Sequence, residues 1–176
     1  MDISLFSNDY IVRRLEKTDV ADIYLLCSKN SLYYQYCPPF VTEQSIMDDM
    51  KALPPNKEMC DKYYIGYYKG KELIAIMDFI MAYPDEKTAF IGFFMTETSI
   101  QNTGIGSSII DGLCRYLTEI RLSSVRLGWV KGNSRKTGPI MRSTPCPGRQ
   151  ACRRGIGSCP LSVSGLTGPR ITIRSL

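Results

Sequence analysis

Gln101, Asn102, Thr103, Gly104, Ile105 and Gly106 lie between a strongly apolar run and an amphipathic one, and no other part of the chain is so well suited to cradle a phosphate. Glycines at 104 and 106 let the backbone turn tightly and approach a ligand with no Cβ in the way. From Ser107 onward the expected helix aims free N–H groups and the positive end of its dipole back at the loop, which suits a pyrophosphate. Glycines also punctuate ordinary turns, so the flanking elements give this pattern its weight. The chain contains no histidine, which removes the commonest neutral-pH general base. Its cysteines, at 27, 37, 60, 114, 146, 152 and 159, form no C-x-x-C pair. Both facts argue against zinc sites and Cys–His catalysis.

The elements that must position the loop can be read from periodicity. Residues 11–15 form a first strand, and Thr18 or Asp19 caps a helix with Val20, Ile23, Tyr24 and Cys27 on one face. Pro38-Pro39 is expected to keep the tyrosine-rich segment 32–40 out of a helix. Thr42 then caps a short helix carrying Ile46, Met47, Met50 and Leu53, which Pro54-Pro55 ends. Two helices are thus expected before the second strand. Residues 63–69 and 72–81 form a hairpin around Lys69-Gly70-Lys71, and a turn at 84–87 leads into a central apolar strand at 88–96. The glycine loop follows. Beyond it, Ile109, Ile110, Leu113, Cys114, Leu117 and Ile120 make a helical stripe, within which Gly112 signals close packing. A strand at 125–130 comes next.

At 176 residues, 44% hydrophobic and 22% charged, the chain has the composition of a soluble globular domain large enough for a core without staples. No run reaches the roughly 18 apolar residues of a membrane span. The opening MDISLFSNDY has neither the basic start nor the apolar stretch of a signal peptide, so a cytoplasmic protein with no membrane contact is expected. Charge is unevenly distributed. Residues 134–176 hold 8 Lys+Arg, no acidic residue and no aromatic, whereas residues 1–133 carry 14 Lys+Arg against 17 Asp+Glu and every aromatic side chain. That Gly, Pro, Ser and Arg-rich segment is open to three readings. It is a basic arm for nucleic acid, though without the interleaved aromatics that stack bases, so nucleic acid is the less expected partner. It is a terminal segment with a hairpin, in which Leu161, Val163, Ile171 and Ile173 alternate around Thr167-Gly168-Pro169. Or the reading frame changes near codon 134 and the tail is foreign to the fold.

The order strand, helix, helix, three antiparallel strands, Q-x-x-G-x-G, helix, strand resembles the GNAT N-acetyltransferase superfamily. Ile91 to Met95, Gln101 to Ser107 and Trp129-Val130-Lys131-Gly132-Asn133 carry the resemblance, which spans about residues 10–133. It implies an α/β fold of α+β type: a mixed, largely antiparallel sheet flanked by helices, split between its fourth and fifth strands, with an atypical C-terminal segment. Residues 1–133 would be the acetyl-CoA-binding domain, incomplete at its end, and 134–176 an added tail.

For the site, the resemblance implies acetyl-CoA as co-substrate. Gln101, Asn102, Thr103, Gly104, Ile105, Gly106 and Ser107 would hold its pyrophosphate, the backbone of Phe94, Met95 and Thr96 its pantetheine arm, and Asn133 its far side. Phe94 and Met95 can equally be core, and Asn133 a turn residue. Tyr33, Tyr34, Tyr36 and Phe40 fall where the acceptor pocket is usually lined, or they form an ordinary aromatic cluster. Asp78 and Glu97 are positional candidates for the base, or solvated carboxylates. No tyrosine follows Tyr116, so the family's usual acid has no counterpart. The implied activity is transfer of an acetyl group to a primary amine of a small molecule or peptide by a monomer or homodimer. The alternatives are a catalytically impaired acyl-CoA-binding protein of the same fold, lacking the acid-bearing helix and final strands, and a nucleic-acid-binding protein using the tail.

Overall fold

In the computed structural model, which describes residues 1–129, 158–161 and 170–175, the chain is organised by a seven-stranded sheet of order β1-β2-β3-β4-β5-β7-β6. Strands β1 (Ile11–Arg14), β2 (Lys62–Lys69), β3 (Glu72–Ile80) and β4 (Thr88–Thr96) pair antiparallel in succession. β5 (Ser124–Trp129) joins β4 in parallel, β7 (Arg170–Ser175) joins β5 in parallel, and β6 (Ser158–Leu161) closes the edge antiparallel to β7. This is the mixed, largely antiparallel α/β sheet expected. The hairpin turn falls at Gly70, whose φ of +63° is a conformation open to glycine at no steric cost.

Successive strand residues face opposite sides, so the strands feed two cores. From β3, Ile76 and Leu73 pack with Leu15, Val20, Ile23, Leu26, Val41 and Ile46, which come from or adjoin α1 (Val20–Ser28) and α3 (Glu43–Lys51). Its Ala75, Met77 and Phe79 pack instead with Phe6 and with Ile109, Leu113 and Leu117 of α4 (Ile105–Glu119). Full burial of three such aliphatic side chains contributes about 1.5–3 kcal/mol each. Gly112 of α4 lies against the N-terminal turn Ile3–Phe6, where a Cβ would overlap the carbonyl oxygen of Phe6. The close packing expected at that glycine is present.

One expectation needs correction. The tyrosine-rich segment is helical over Ser31–Tyr36 (α2), so three helices precede β2. Proline acts locally: Pro38 steers Cys37 out of the helical region, at φ −134° and ψ 67°, and leaves the turn before it untouched. Cys37 N–H still donates to the Tyr33 carbonyl at 3.0 Å, so the prolines end this helix without preventing it. Of the readings left open for the C-terminal segment, the hairpin accords with strands β6 and β7, whereas the alternative of an impaired acyl-CoA-binding protein supposed the final strands to be lacking. Leu161 pairs with Ile171 and Cys159 with Ile173 in the β6–β7 ladder, as the alternation of apolar residues around Gly168-Pro169 allows. Val163 and the turn lie outside the described residues. Among the described residues, no helix is long and apolar enough to cross a membrane.

Candidate functional site

β4 and β5 begin side by side and then part. Their register runs from Thr88↔Ser124 only to Ile91↔Leu127. Beyond that rung β4 continues along β3, from Asp78↔Phe93 to Ala75↔Thr96. β5 continues along β7, through Gly128↔Arg174 and Trp129↔Ser175. The result is a fork whose β4 arm, residues 92–96, has no strand partner on its β5 side among the described residues. At the throat of the fork β4 carries a bulge, because Phe79 pairs Ile91 while Asp78 pairs Phe93, leaving Gly92 as the extra residue.

The glycine loop sits at the end of that arm. Thr96 leads through a single turn at Thr98–Ile100 to Gln101, and the chain reverses through Asn102 at φ 66° and Gly104 at φ 88° into α4. Gly104 is the N-cap of α4 and provides no side-chain cap. The first intrahelical bond, Ser108 N–H to Gly104 carbonyl, is 3.0 Å. The amides of Ile105, Gly106 and Ser107 therefore point out of the helix end, where a left-handed turn and the dipole together favour an anion. A Cβ on Gly106 would stand 3.6 Å from Thr96 Cγ2 and 3.8 Å from the Phe94 ring, so α4 rests directly on the β4 arm at this point.

A buried amide holds the loop in place. Asn30, between α1 and α2, donates from Nδ2 to the carbonyls of Leu26 at 3.1 Å and Thr96 at 3.3 Å. Its Oδ1 accepts from Gln101 Nε2 at 2.6 Å, and the same Nε2 lies 3.2 Å from the Thr96 carbonyl. One clasp thus ties helix α1, the tip of β4 and the first residue of the loop. Nothing in the sequence alone marks Asn30 for this role.

The two candidate carboxylates have different surroundings. Glu97 accepts from the Ser99 hydroxyl, from Ser99 N–H at 2.6 Å, from Thr98 Oγ1 at 3.2 Å and from Lys29 Nζ at 3.3 Å. The Ser99 hydroxyl, followed by that backbone N–H and Lys29, holds its carboxyl down at about 2. Such a group is fully ionised and fully bonded, and it acts as the cap of the 98–100 turn. Asp78 instead stands on β3 beside the bulge, with Oδ2 bonded to Lys62 Nζ at 2.8 Å and Oδ1 buried without a hydrogen-bond partner. Burial raises its carboxyl above the usual range, and the Lys62 ammonium opposes that shift.

α2 lays its aromatics against the α1/α3 side of the fork. Tyr33 meets Phe93 of β4 edge-on at 5.8 Å and Tyr34 at 5.0 Å, and Tyr34 packs on Phe40 at 4.9 Å. Tyr36 and Phe40 are exposed. Burial pushes the phenols of Tyr33 and Tyr34 well above their ordinary range, and the Cys27 thiol up to about 11. None of these three is a nucleophile or base at neutral pH. Phe94 and Thr96 face α4, while the Met95 side chain is buried in the α1/α3 core, so only its backbone is available to a ligand. Asn133 lies outside the described residues.

The sheet thus forks between two parallel strands, with a glycine loop and an uncapped helix at the end of one arm. The family model described as "Acetyltransferase (GNAT) family" matches residues 29–136, more than half of the chain. The protein belongs to the GNAT acetyltransferase family. Its fold is shared by an acetyltransferase from Thermus thermophilus, at 13% identity over 66% of this chain and 73% of that one, with a TM-score of 0.55. A PaiA N-acetyltransferase from Thermoplasma acidophilum, in complex with coenzyme A, superposes with a TM-score of 0.52 at 10% identity, over 71% and 82% of the two chains. The ribosomal-protein-S18-alanine N-acetyltransferase of Escherichia coli does so at 0.50, with 12% identity over 71% and 70%. These identities speak for the fold alone. No curated protein matches the sequence.

Proposed function

We propose that the protein transfers the acetyl group of acetyl-CoA to a primary amine of a small molecule or peptide. The observation that carries this reading is the fork: β4 leaves β5 after Ile91 and ends, five residues later, beside an uncapped helix terminus. A strand edge next to an anion cradle matches a ligand with an extended amide-bearing arm and a pyrophosphate. Phe94, Met95 and Thr96 offer that arm backbone groups, and the loop from Gln101 to Ser107 offers the pyrophosphate N–H donors. Gly106 is compatible with the assignment, since it carries no side chain where α4 meets the β4 arm and even a Cβ there would already touch Thr96 and Phe94. When bound, acetyl-CoA supplies an activated acyl carbonyl.

The remaining work falls to this chain's own groups. The bulge at Gly92 turns backbone at the throat of the fork away from the β3 ladder, giving a strand N–H freedom to stabilise a developing oxyanion. Tyr33, Tyr34, Tyr36 and Phe40 form the wall that receives the acceptor and excludes water. Asp78 is the better proton acceptor of the two candidates, since Glu97 is held at about 2 and spends its lone pairs on a cap. Residues 1–133 carry these contacts, and a cytoplasmic monomer or homodimer is the working form.

Thermal unfolding with and without acetyl-CoA, paired with thiol release across a panel of amines, tests the proposal. A raised melting temperature together with amine-dependent release of free CoA is expected. A melting shift with no release would instead identify an acyl-CoA-binding protein without turnover, and the absence of any shift at saturating acetyl-CoA would sink both. Salt-sensitive binding to DNA or RNA, lost on removing residues 134–176, would assign the basic tail to nucleic acid.

A further inference from the structure

We propose that Lys62 is a positioning residue that ties one oxygen of Asp78 and leaves the other to take the proton of the acceptor's ammonium group. The inference rests on the acetyltransferase reading and names the device that serves it. Lys62, the first residue of β2, is 2% exposed. Its Nζ donates to Asp78 Oδ2 at 2.8 Å and to the Ala52 carbonyl at the end of α3 at 2.9 Å, and it stands 5.8 Å from the centre of the Tyr64 ring. Asp78 lies across from Tyr64 on β3, and its Oδ2 is 3.5 Å from the place a Gly92 Cβ would occupy. Gly92 is the bulged residue, one position past the last β4–β5 rung. The carboxylate is therefore fixed against the throat of the fork, on the α1/α3 side that also carries the Tyr33 contact to Phe93.

A buried ion pair of this kind is seldom retained for stability, because apolar side chains of similar volume do as well or better. An unbonded buried carboxylate oxygen is costlier still. Lys62 uses two of its donors, on Asp78 and on a backbone carbonyl, and both fix where Asp78 can point. The charged or titrating groups that face the pair are Asp49 from α3 and Tyr64 from β2; the neighbouring β4 residues Phe90, Gly92 and Phe93 carry none. Two carboxylates against one ammonium leave an excess of negative charge, which favours an amine arriving protonated.

The proton balance is then simple. One proton passes from the ammonium to Asp78 Oδ1 before the N–C bond forms and later leaves to solvent. The C–S bond breaks with its electron pair on sulfur, and the second amine proton neutralises the thiolate.

Three variants and two readouts test the assignment: Lys62→Met, Lys62→Arg and Asp78→Asn, followed by kcat against pH and by 13C NMR titration of the Asp78 carboxyl. Removing the neighbouring cation makes the carboxyl harder to ionise, so Lys62→Met should move both the acidic limb of kcat and the NMR midpoint upward by about one pH unit or more. Lys62→Arg should restore both. Asp78→Asn should lower kcat by roughly 100-fold or more, the lower range for a general base, with the acetyl-CoA melting shift intact. If Lys62→Met does not fold, the Asp78→Asn measurement decides alone. An unmoved acidic limb in folded Lys62→Met, or an Asp78→Asn variant with near-normal kcat, would overturn the proposal while leaving the transferase reading standing. A wild-type protein that binds acetyl-CoA but acetylates no amine would overturn the transferase reading, and this one with it.

Discussion

At the scale of single residues, charge placement separates stability from chemistry. Glu97 has a folded-state pKa of about 2 against an ordinary 4.5, set chiefly by the Ser99 hydroxyl. A depressed carboxyl contributes stability above its unfolded value and loses it as pH falls through its folded value. The melting temperature of the wild type should therefore fall between about pH 4.5 and 2 more steeply than that of Glu97→Gln, and equal slopes would refute the capping role. Gly106 gives the converse test. An aspartate at this second helical position favours the dipole, yet it places negative charge where a pyrophosphate is proposed to sit. Gly106→Asp should keep or slightly raise the apo melting temperature while abolishing the shift caused by acetyl-CoA. Retention of that shift would remove the loop from the site.

The site was only partly legible at this scale. Glycines 104 and 106 were visible because their chemistry is local: a left-handed turn and a close approach need no distant partner. Asp78 could be noticed as a charge within the apolar run of β3, but its bond to Lys62 joins residues 16 positions apart across a hairpin. Asn30 and Gln101 meet over 71 positions, and no periodicity encodes such a pair.

At the scale of elements, alternation and turn chemistry set most strands to within a residue or two, since a one-residue slip would turn a whole strand inside out. The error at α2 came from extending a local rule. Proline governs its predecessor and the helix beyond, and Ser31–Tyr36 lies before that reach. Helix α4 offers a prediction with competing terms. Alanine in place of Gly112 gains about 1 kcal/mol of helix propensity, but its methyl group would overlap the Phe6 carbonyl, a backbone atom that cannot rotate away. Overpacking costs about 1–3 kcal/mol, so Gly112→Ala should be destabilised on balance, with the N-terminal turn displaced. Denaturant unfolding that finds the variant more stable would show that the turn yields freely.

At the scale of the whole molecule, the sheet is continuous from β1 to β6, and the compositionally distinct C-terminal segment contributes strands to it. β5 shares four paired positions with β4 and six with β7. Removal of residues 134–176 should therefore raise amide hydrogen exchange in Ser124–Trp129 sharply while leaving β2 and β3 protected. Uniform protection before and after removal would mean that β7 adds nothing to the fold. Composition changes near residue 134, and a division of the chain follows from it at sequence level. Strand pairing depends on backbone groups that any composition provides, which is why the tail's place in the sheet was harder to read than its charge.

The Asn30 clasp has a consequence for anyone wishing to redirect the protein. Asn30 is the residue from which α2 departs, and it also grips Gln101, so the segment proposed to receive the amine and the segment proposed to hold the nucleotide share one joint. Mutations made in α2 to widen acceptor choice will not be independent of those in the loop. On the proposed function, a library built on one side alone should keep returning variants whose acetyl-CoA affinity has drifted, and selection should vary both sides together.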